Sequence, residues 1–260
     1  IGVCRMVYNL AKETKEYAYK TRGVNLSCYD LQKQLTGLKK EFSFISTVDR
    51  NSLDKTIERM DNAFKRFFKG AGYPKWAKKD KYRSILFTQH INQTERGFKV
   101  GKFGEVKVFN NRKINGKIKT GRLIRKADGL YVQIIFEDFT QKIKNNENQI
   151  VALDMGIKHF TVSSDGDFIN NPKHLFKYLA ELRIENRKLS RMKKGGSNWR
   201  KQVVVLKKLY LKISNTRKDF LHKQSRSLAN DYSTIIREDL QISKMVKGSK
   251  LAKLILDCSW

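Results

Sequence analysis

Prolines, cysteines and acids are all scarce in this chain: two Pro, three Cys, and 25 Asp and Glu against 55 Lys and Arg in 260 residues. So few prolines exclude a long proline-rich linker. Cys4, Cys28 and Cys258 are odd in number, widely spaced and contain no CxxC pair. They form neither a disulfide framework nor a zinc ribbon, and they fit a reducing setting. His90, His159, His174 and His222 have no ligand spacing with them. No apolar run reaches the 18 or so residues a spanning helix needs, and no secretory signal is visible. Repeats of 20–50 residues are also lacking.

What the chain has is positive charge, a formal +30 with a pI near 10.1. Apolar residues still make up 40% and aromatics 11%, enough to bury a core, which excludes disorder as the main state. The excess is spread through folded-looking segments, so it needs a polyanion, and nucleic acid fits better than a membrane surface or a merely basic composition. Such binding weakens steeply with salt.

Hydropathy patterning divides the chain. Val3, Val7, Leu10, Thr14 and Tyr17 recur at helical steps until Gly23. Ser27 and Asp30 form a capping pair opening a second helix with Leu31, Leu35 and Leu38 on one side. A third helix is expected over 51–69, carrying Leu53, Ile57, Met60, Phe64 and Phe67 or Phe68, and the segment 70–76 breaks it. Residues 1–80 therefore read as a helical lobe. Over 81–140 the period changes to two: Ile85 and Phe87, Phe98 and Val100, Val106 and Val108 alternate with polar residues. Asn115-Gly116 and Asp128-Gly129 supply hairpin turns, which predicts a small barrel or sandwich. The polar stretch 141–149 reads as a linker.

From Ile150 a third region begins, running to residue 260. Its first strand ends in Asp154, Phe160–Ser163 forms a hairpin arm, and Asp165-Gly166 turns the chain into Phe168-Ile169. A helical hairpin over 173–228 follows, its turn at Gly195–Trp199. Between Lys173 and Arg226 it carries seventeen Lys and Arg against three acids, a net of +14. Thr234–Leu240 is another short strand ending in acids, and one more helix opens at Leu251. Asp154 and Glu238 each close a strand of one sheet; if those strands are neighbours, their carboxylates meet and need Mg²⁺ or Mn²⁺ between them. A strand-end carboxylate also serves as an ordinary turn cap, and on spacing alone that reading has the edge.

The stretches LDMGIKHF (153–160), RKDFLHKQSRSLANDYSTIIREDL (217–240) and KMVKGSKLAKLILDCSW (244–260) resemble the TnpB (OrfB) family of insertion-sequence transposases. FKRFFKGAGYPKW (64–76) and LSCYDLQKQLTGLKK (26–40) resemble the same family's helical lobe. The family consists of transposon-encoded, RNA-guided DNA endonucleases related to type V CRISPR effectors. The resemblance implies an α+β multidomain protein: a recognition lobe at 1–80, a wedge barrel at 81–140, and at 150–260 an RNase H-like RuvC domain with the basic hairpin inserted. It also implies Asp154 and Glu238 as Mg²⁺-holding catalytic acids, a guide RNA and a target double-stranded DNA as partners, and a cytoplasmic, nucleoid-associated location. The expected nucleic-acid contacts are Lys173, Lys177, Arg187, Arg191, Lys193, Lys194, Arg200, Lys201, Lys207, Lys208, Arg217 and Lys218.

The departures shape the expectation. The family's third acid and its CxxC ribbon lie downstream of anything present here, Asp257 is not that acid, and Arg237 stands where relatives carry an apolar residue. The chain is therefore expected to be truncated at both ends, to bind nucleic acid, and to cleave poorly or not at all. The alternatives are a non-cleaving RNA-guided DNA-binding protein and a generic RNA-binding protein with structural acids. Asp239 reads as a turn residue, Tyr73, Trp76 and Trp199 as packing anchors before base-stacking groups, and Cys4 and Cys28 as core.

Overall fold

A computed structural model describes residues 1–109, 112–138 and 149–260. The chain divides into two compact units, Ile1–Gln141 and Lys142–Trp260. Of the expected linker at 141–149, residues 141–148 lie outside the described residues.

In the first unit α1 (Gly2–Arg22) ends where expected, at Gly23, whose φ of 65° places it in the left-handed region glycine tolerates. Helix α2 (Cys28–Glu41) opens with a full capping box between Ser27 and Asp30. Helix α3 (Arg50–Phe68) follows a 3₁₀ turn over Ser43–Thr47. The i, i+3/i+4 stripe Leu53, Ile57, Met60 and Phe64 packs against Cys4, Val7, Leu31 and Leu35 in one core. Phe68 points away, 74% exposed. Lys12 is buried yet satisfied: it pairs with Glu16 and lies 4.1 Å from the centre of the Trp76 ring. Tyr73 donates to Glu16 and stacks edge-on against Phe64 and Phe67, so both aromatics of this loop anchor packing.

The strands of this unit are β1 (Ser84–Phe87), β2 (Ile91–Thr94), β3 (Gly97–Val100), β4 (Gly104–Lys107), β5 (Gly116–Arg125) and β6 (Leu130–Asp138). They form two antiparallel three-stranded sheets, β1-β5-β6 and β2-β3-β4. Neither closes into a barrel among the described residues. Phe87, Phe98 and Val100 are buried in a core shared by the two sheets, with Leu123, Val132 and Ile134 packed on it. Asp128-Gly129 lies in the β5–β6 connection as expected, but Asn115-Gly116 is no hairpin turn. Gly116 opens β5 opposite Asp138, and a Cβ there would stand 1.9 Å from the Glu137 carbonyl oxygen. Glycine is needed for close backbone approach rather than for turning.

The second unit carries a four-stranded sheet in the order β10-β7-β8-β9, from β7 (Ile150–Met155), β8 (His159–Ser163), β9 (Phe168–Asn170) and β10 (Thr234–Arg237). The first three form an antiparallel meander. β10 returns parallel to β7, which requires a long crossover. That crossover is α4 (His174–Lys177), α5 (Leu179–Ser190) and α6 (Ser197–Asp231), followed after β10 by α7 (Ile242–Met245) and α8 (Ala252–Cys258). Helices α5 and α6 pair through Leu182, Leu206, Leu209 and Ile213. The architecture is thus mixed α and β, with eight α-helices among the described residues. None of those helices is long and apolar enough to cross a membrane.

Candidate active site

Strand pairing runs up to the residues that precede the two candidate acids. The β7–β10 ladder sets Ile236 opposite Ala152 and Arg237 opposite Leu153. The next position on each chain is Glu238 and Asp154. In β7, Val151 and Leu153 point into the protein, so by alternation Asp154 lies on the other face, exposed with Ile150 and Ala152. Glu238 is exposed as well, one residue past the end of β10. The same face continues across the sheet, because Asp154 is the register partner of Val162 and Val162 that of Phe168. Two carboxylates therefore stand beside a row of solvent-open apolar side chains.

Exposed carboxylate oxygens are hard donors and suit a small divalent cation. Mg²⁺ keeps several waters and takes one or two carboxylates, completing its shell with substrate phosphate oxygens. Two acids on adjacent strands with an open approach fit that requirement. Among the described residues no group of three or more His, Cys, Asp or Glu is placed to hold a metal. All three cysteines are free thiols, and burial pushes Cys4 and Cys258 above the ordinary thiol range.

Asp257 has a different occupation. It is 3% exposed, its two oxygens accept from the Leu175 backbone N–H at 2.9 Å, and it pairs with Arg217 at 2.6 Å. One carboxylate thereby ties α8 to the first turn of α4 and to the middle of α6. Beside it Asn171 donates to the Ile157 carbonyl at 2.8 Å and to the Cys258 sulfur at 3.2 Å, fastening the loop that follows Asp154. Nothing in local sequence spacing reveals a partner forty residues away.

The twelve candidate nucleic-acid contacts separate into two groups. Lys173, Lys177, Arg187, Arg191, Lys193, Lys194, Arg200, Lys201, Lys207, Lys208 and Lys218 are exposed on α4–α6 and their turns. Arg217 is turned inward to Asp257. Packing α5 against α6 through leucines forces the intervening cations outward, so the hairpin presents positive charge along its length.

The sequence model of OrfB_IS605, described as a probable transposase, matches residues 133–249, a span that contains both strand-end acids and the hairpin. A Streptomyces pristinaespiralis protein is 29% identical over 268 residues, covering 100% of this chain and 66% of its own length. An Escherichia coli (strain K12) protein is 24% identical over 253 residues, covering 95% of this chain and 63% of its own. Both bear the name "Putative RNA-guided DNA endonuclease", the second with the suffix InsQ. These matches support a TnpB-family assignment. The chain spans slightly less than two thirds of the length of the curated relatives it matches. Asp154 and Glu238, each the next residue after the last pair of the β7–β10 ladder, both lie within the segment that the family match covers.

Proposed function

We propose that this chain is the larger part of an RNA-guided DNA endonuclease of a mobile element, hydrolysing phosphodiester bonds with Asp154 and Glu238. In this reading residues 1–80 are the recognition lobe, 81–140 the wedge, and 150–260 a RuvC-like nuclease domain with the hairpin 173–228 inserted. The observation that supports it is the parallel β7–β10 register: its last pair is Arg237 opposite Leu153, and Glu238 and Asp154 are the next residues on the two strands. These acids would hold Mg²⁺ or Mn²⁺, which supplies an activated water and stabilises the leaving oxygen when bound. The residues themselves orient and neutralise: the carboxylates fix the cation, and the open row beyond Asp154 leaves the strand to be cut room to approach. The partners are a guide RNA and double-stranded target DNA. Exposed lysines and arginines on α4–α6 grip phosphates by shape and charge, without reading sequence. A cytoplasmic, nucleoid-associated site of action follows from these partners.

The test is metal-dependent cleavage by the protein in its natural reading frame, loaded with its guide. Asp154→Ala and Glu238→Ala should each remove several kcal/mol of transition-state stabilisation, at least about 100-fold in rate. Nucleic-acid affinity should persist. Undiminished cleavage by Asp154→Ala sinks the assignment. Guided binding without cleavage by the parent would instead favour a DNA-occupying repressor, and guide-independent RNA binding a generic RNA-binding protein.

A further inference from the structure

The first unit holds a second concentration of cations, outside both the carboxylate edge and the basic hairpin. A cleft of about 480 Å³ opens between α3 and the sheet formed by β1 and β5. That volume suits a small group rather than a whole duplex. Arg59, Asn62 and Arg66 line one wall; three and four residues apart, they project from one side of α3. In the β1–β5 ladder Leu86 lies opposite Arg122 and Ser84 opposite Ile124, so Ser84, Leu86 and Arg122 share the sheet face that makes the other wall.

Three arginines from two elements therefore line one cavity. Lys55 and Glu58 also border it, but they pair with each other at 2.6 Å and cancel. Among the described residues no carboxylate pairs with Arg59, Arg66 or Arg122. Arg59 is held in place: its guanidinium lies 4.8 Å from the centre of the Tyr82 ring and reaches the Ser84 hydroxyl at 3.4 Å. All three arginines are exposed, so an anion can reach them from solvent, and their planar forks match phosphate oxygens in pairs.

We propose that this cleft binds a backbone phosphate of a nucleic-acid strand, with Arg66 and Arg122 clamping its oxygens and Arg59 fixed as the third donor. The inference rests on the nucleic-acid-binding part of the function above but not on its chemistry, and it gives the first unit a grip of its own.

The experiment is fluorescence anisotropy of the 260-residue chain with a short labelled single-stranded RNA and its DNA counterpart, between about 50 and 200 mM salt. Arg66→Gln combined with Arg122→Gln should weaken binding roughly tenfold and shrink the log–log salt slope by about 0.7 for each arginine removed. Loss confined to the RNA probe assigns the cleft to the guide, and loss confined to DNA assigns it to the target. Unchanged affinity and slope, in a variant whose circular dichroism and melting match the parent, overturns the proposal. If the double variant does not fold, Arg122→Lys carries the test: charge and slope are retained, affinity falls because the fork is lost, and unchanged affinity overturns the clamp. Affinity is read here without guide loading, divalent metal or cleavage, so failure of cleavage and failure of the cleft are separately visible.

Discussion

Helix α3 in the first unit and strand β10 in the second are both rich in large apolar residues, yet they meet opposite fates. Seven residues of α3 are buried, and its stripe closes a core shared by three helices. Every residue of β10 is exposed; Ile235 and Ile236 retain 39% and 55% of their accessible surface. A parallel pair is ordinarily covered on both faces. Here β10 is held mainly by its ladder to β7, and the carboxylates stand on that thinly covered edge. The difference teaches where stability and chemistry divide: the first unit is built around packing, whereas the edge bearing Asp154 and Glu238 stays open to whatever must reach them.

Truncation in the two regions probes this division most strongly. Leu53→Ala or Met60→Ala removes a fully buried side chain and should cost about 2–5 kcal/mol, whereas Ile236→Ala should cost less than about 1 kcal/mol. Denaturant unfolding reads the two units separately if Trp76 reports the first and Trp199 with Trp260 the second. Equal costs at Leu53 and Ile236 would mean that the sheet edge is covered after all, and the contrast would collapse.

The second unit has one well-buried tie, and breaking it sharpens the comparison. Asp257→Ala strips Arg217 of its carboxylate and the Leu175 N–H of its acceptor. Leaving a half-buried guanidinium uncompensated should cost about 3 kcal/mol. Asp257→Asn keeps an acceptor and should cost less. The loss should appear in the tryptophan signal of the second unit alone. A variant as stable as the parent would mean that α8 contributes nothing to holding α4 and α6.

Local signals were readable in the sequence and long-range pairings were not. Gly23, the Ser27/Asp30 box and the α3 stripe announced three helices within a residue or two, because caps and helical periodicity are written in neighbouring residues. Asp154 and Glu238 were legible as acids at strand ends, whereas the parallel pairing of β7 with β10 was not. Strand β2 was missed: its residues INQT hold one apolar side chain, and pairing with β3 rather than alternation defines it. Gly116 looked like a turn because Asn-Gly usually is one, whereas the approach of the Glu137 carbonyl decides its role. The Arg59/Asn62/Arg66 spacing was visible in principle; Arg122 joins it only through the β1–β5 register. The tie from Asp257 to Arg217 spans forty residues and has no local signature at all.

The smallest expected effect is a dependence on pH that separates the units. Burial pulls His174 below the ordinary histidine value of 6.5; Lys177 on its own helix and Arg217 on α6 push the same way, and Asp257 on α8 opposes them. Its Nε2 is buried without a hydrogen-bond partner, and the ring lies edge-on to Phe220 with centroids 5.6 Å apart. The folded state therefore favours the neutral ring. The unfolded chain binds the proton more readily, so this contribution is complete above the unfolded value and is lost as pH falls below about 6.5 through the lower folded value. Acidification should weaken the second unit through this group. The histidine of the first unit, His90, is instead exposed on a turn. His174→Phe, which preserves the packing on Phe220, should flatten this acid fall in the second unit's unfolding midpoint. Asp257→Asn should steepen it by removing the one charge that favours protonation. If His174→Phe leaves the fall unchanged, the pH sensitivity of the second unit has another source, and the open sheet edge becomes the first place to look.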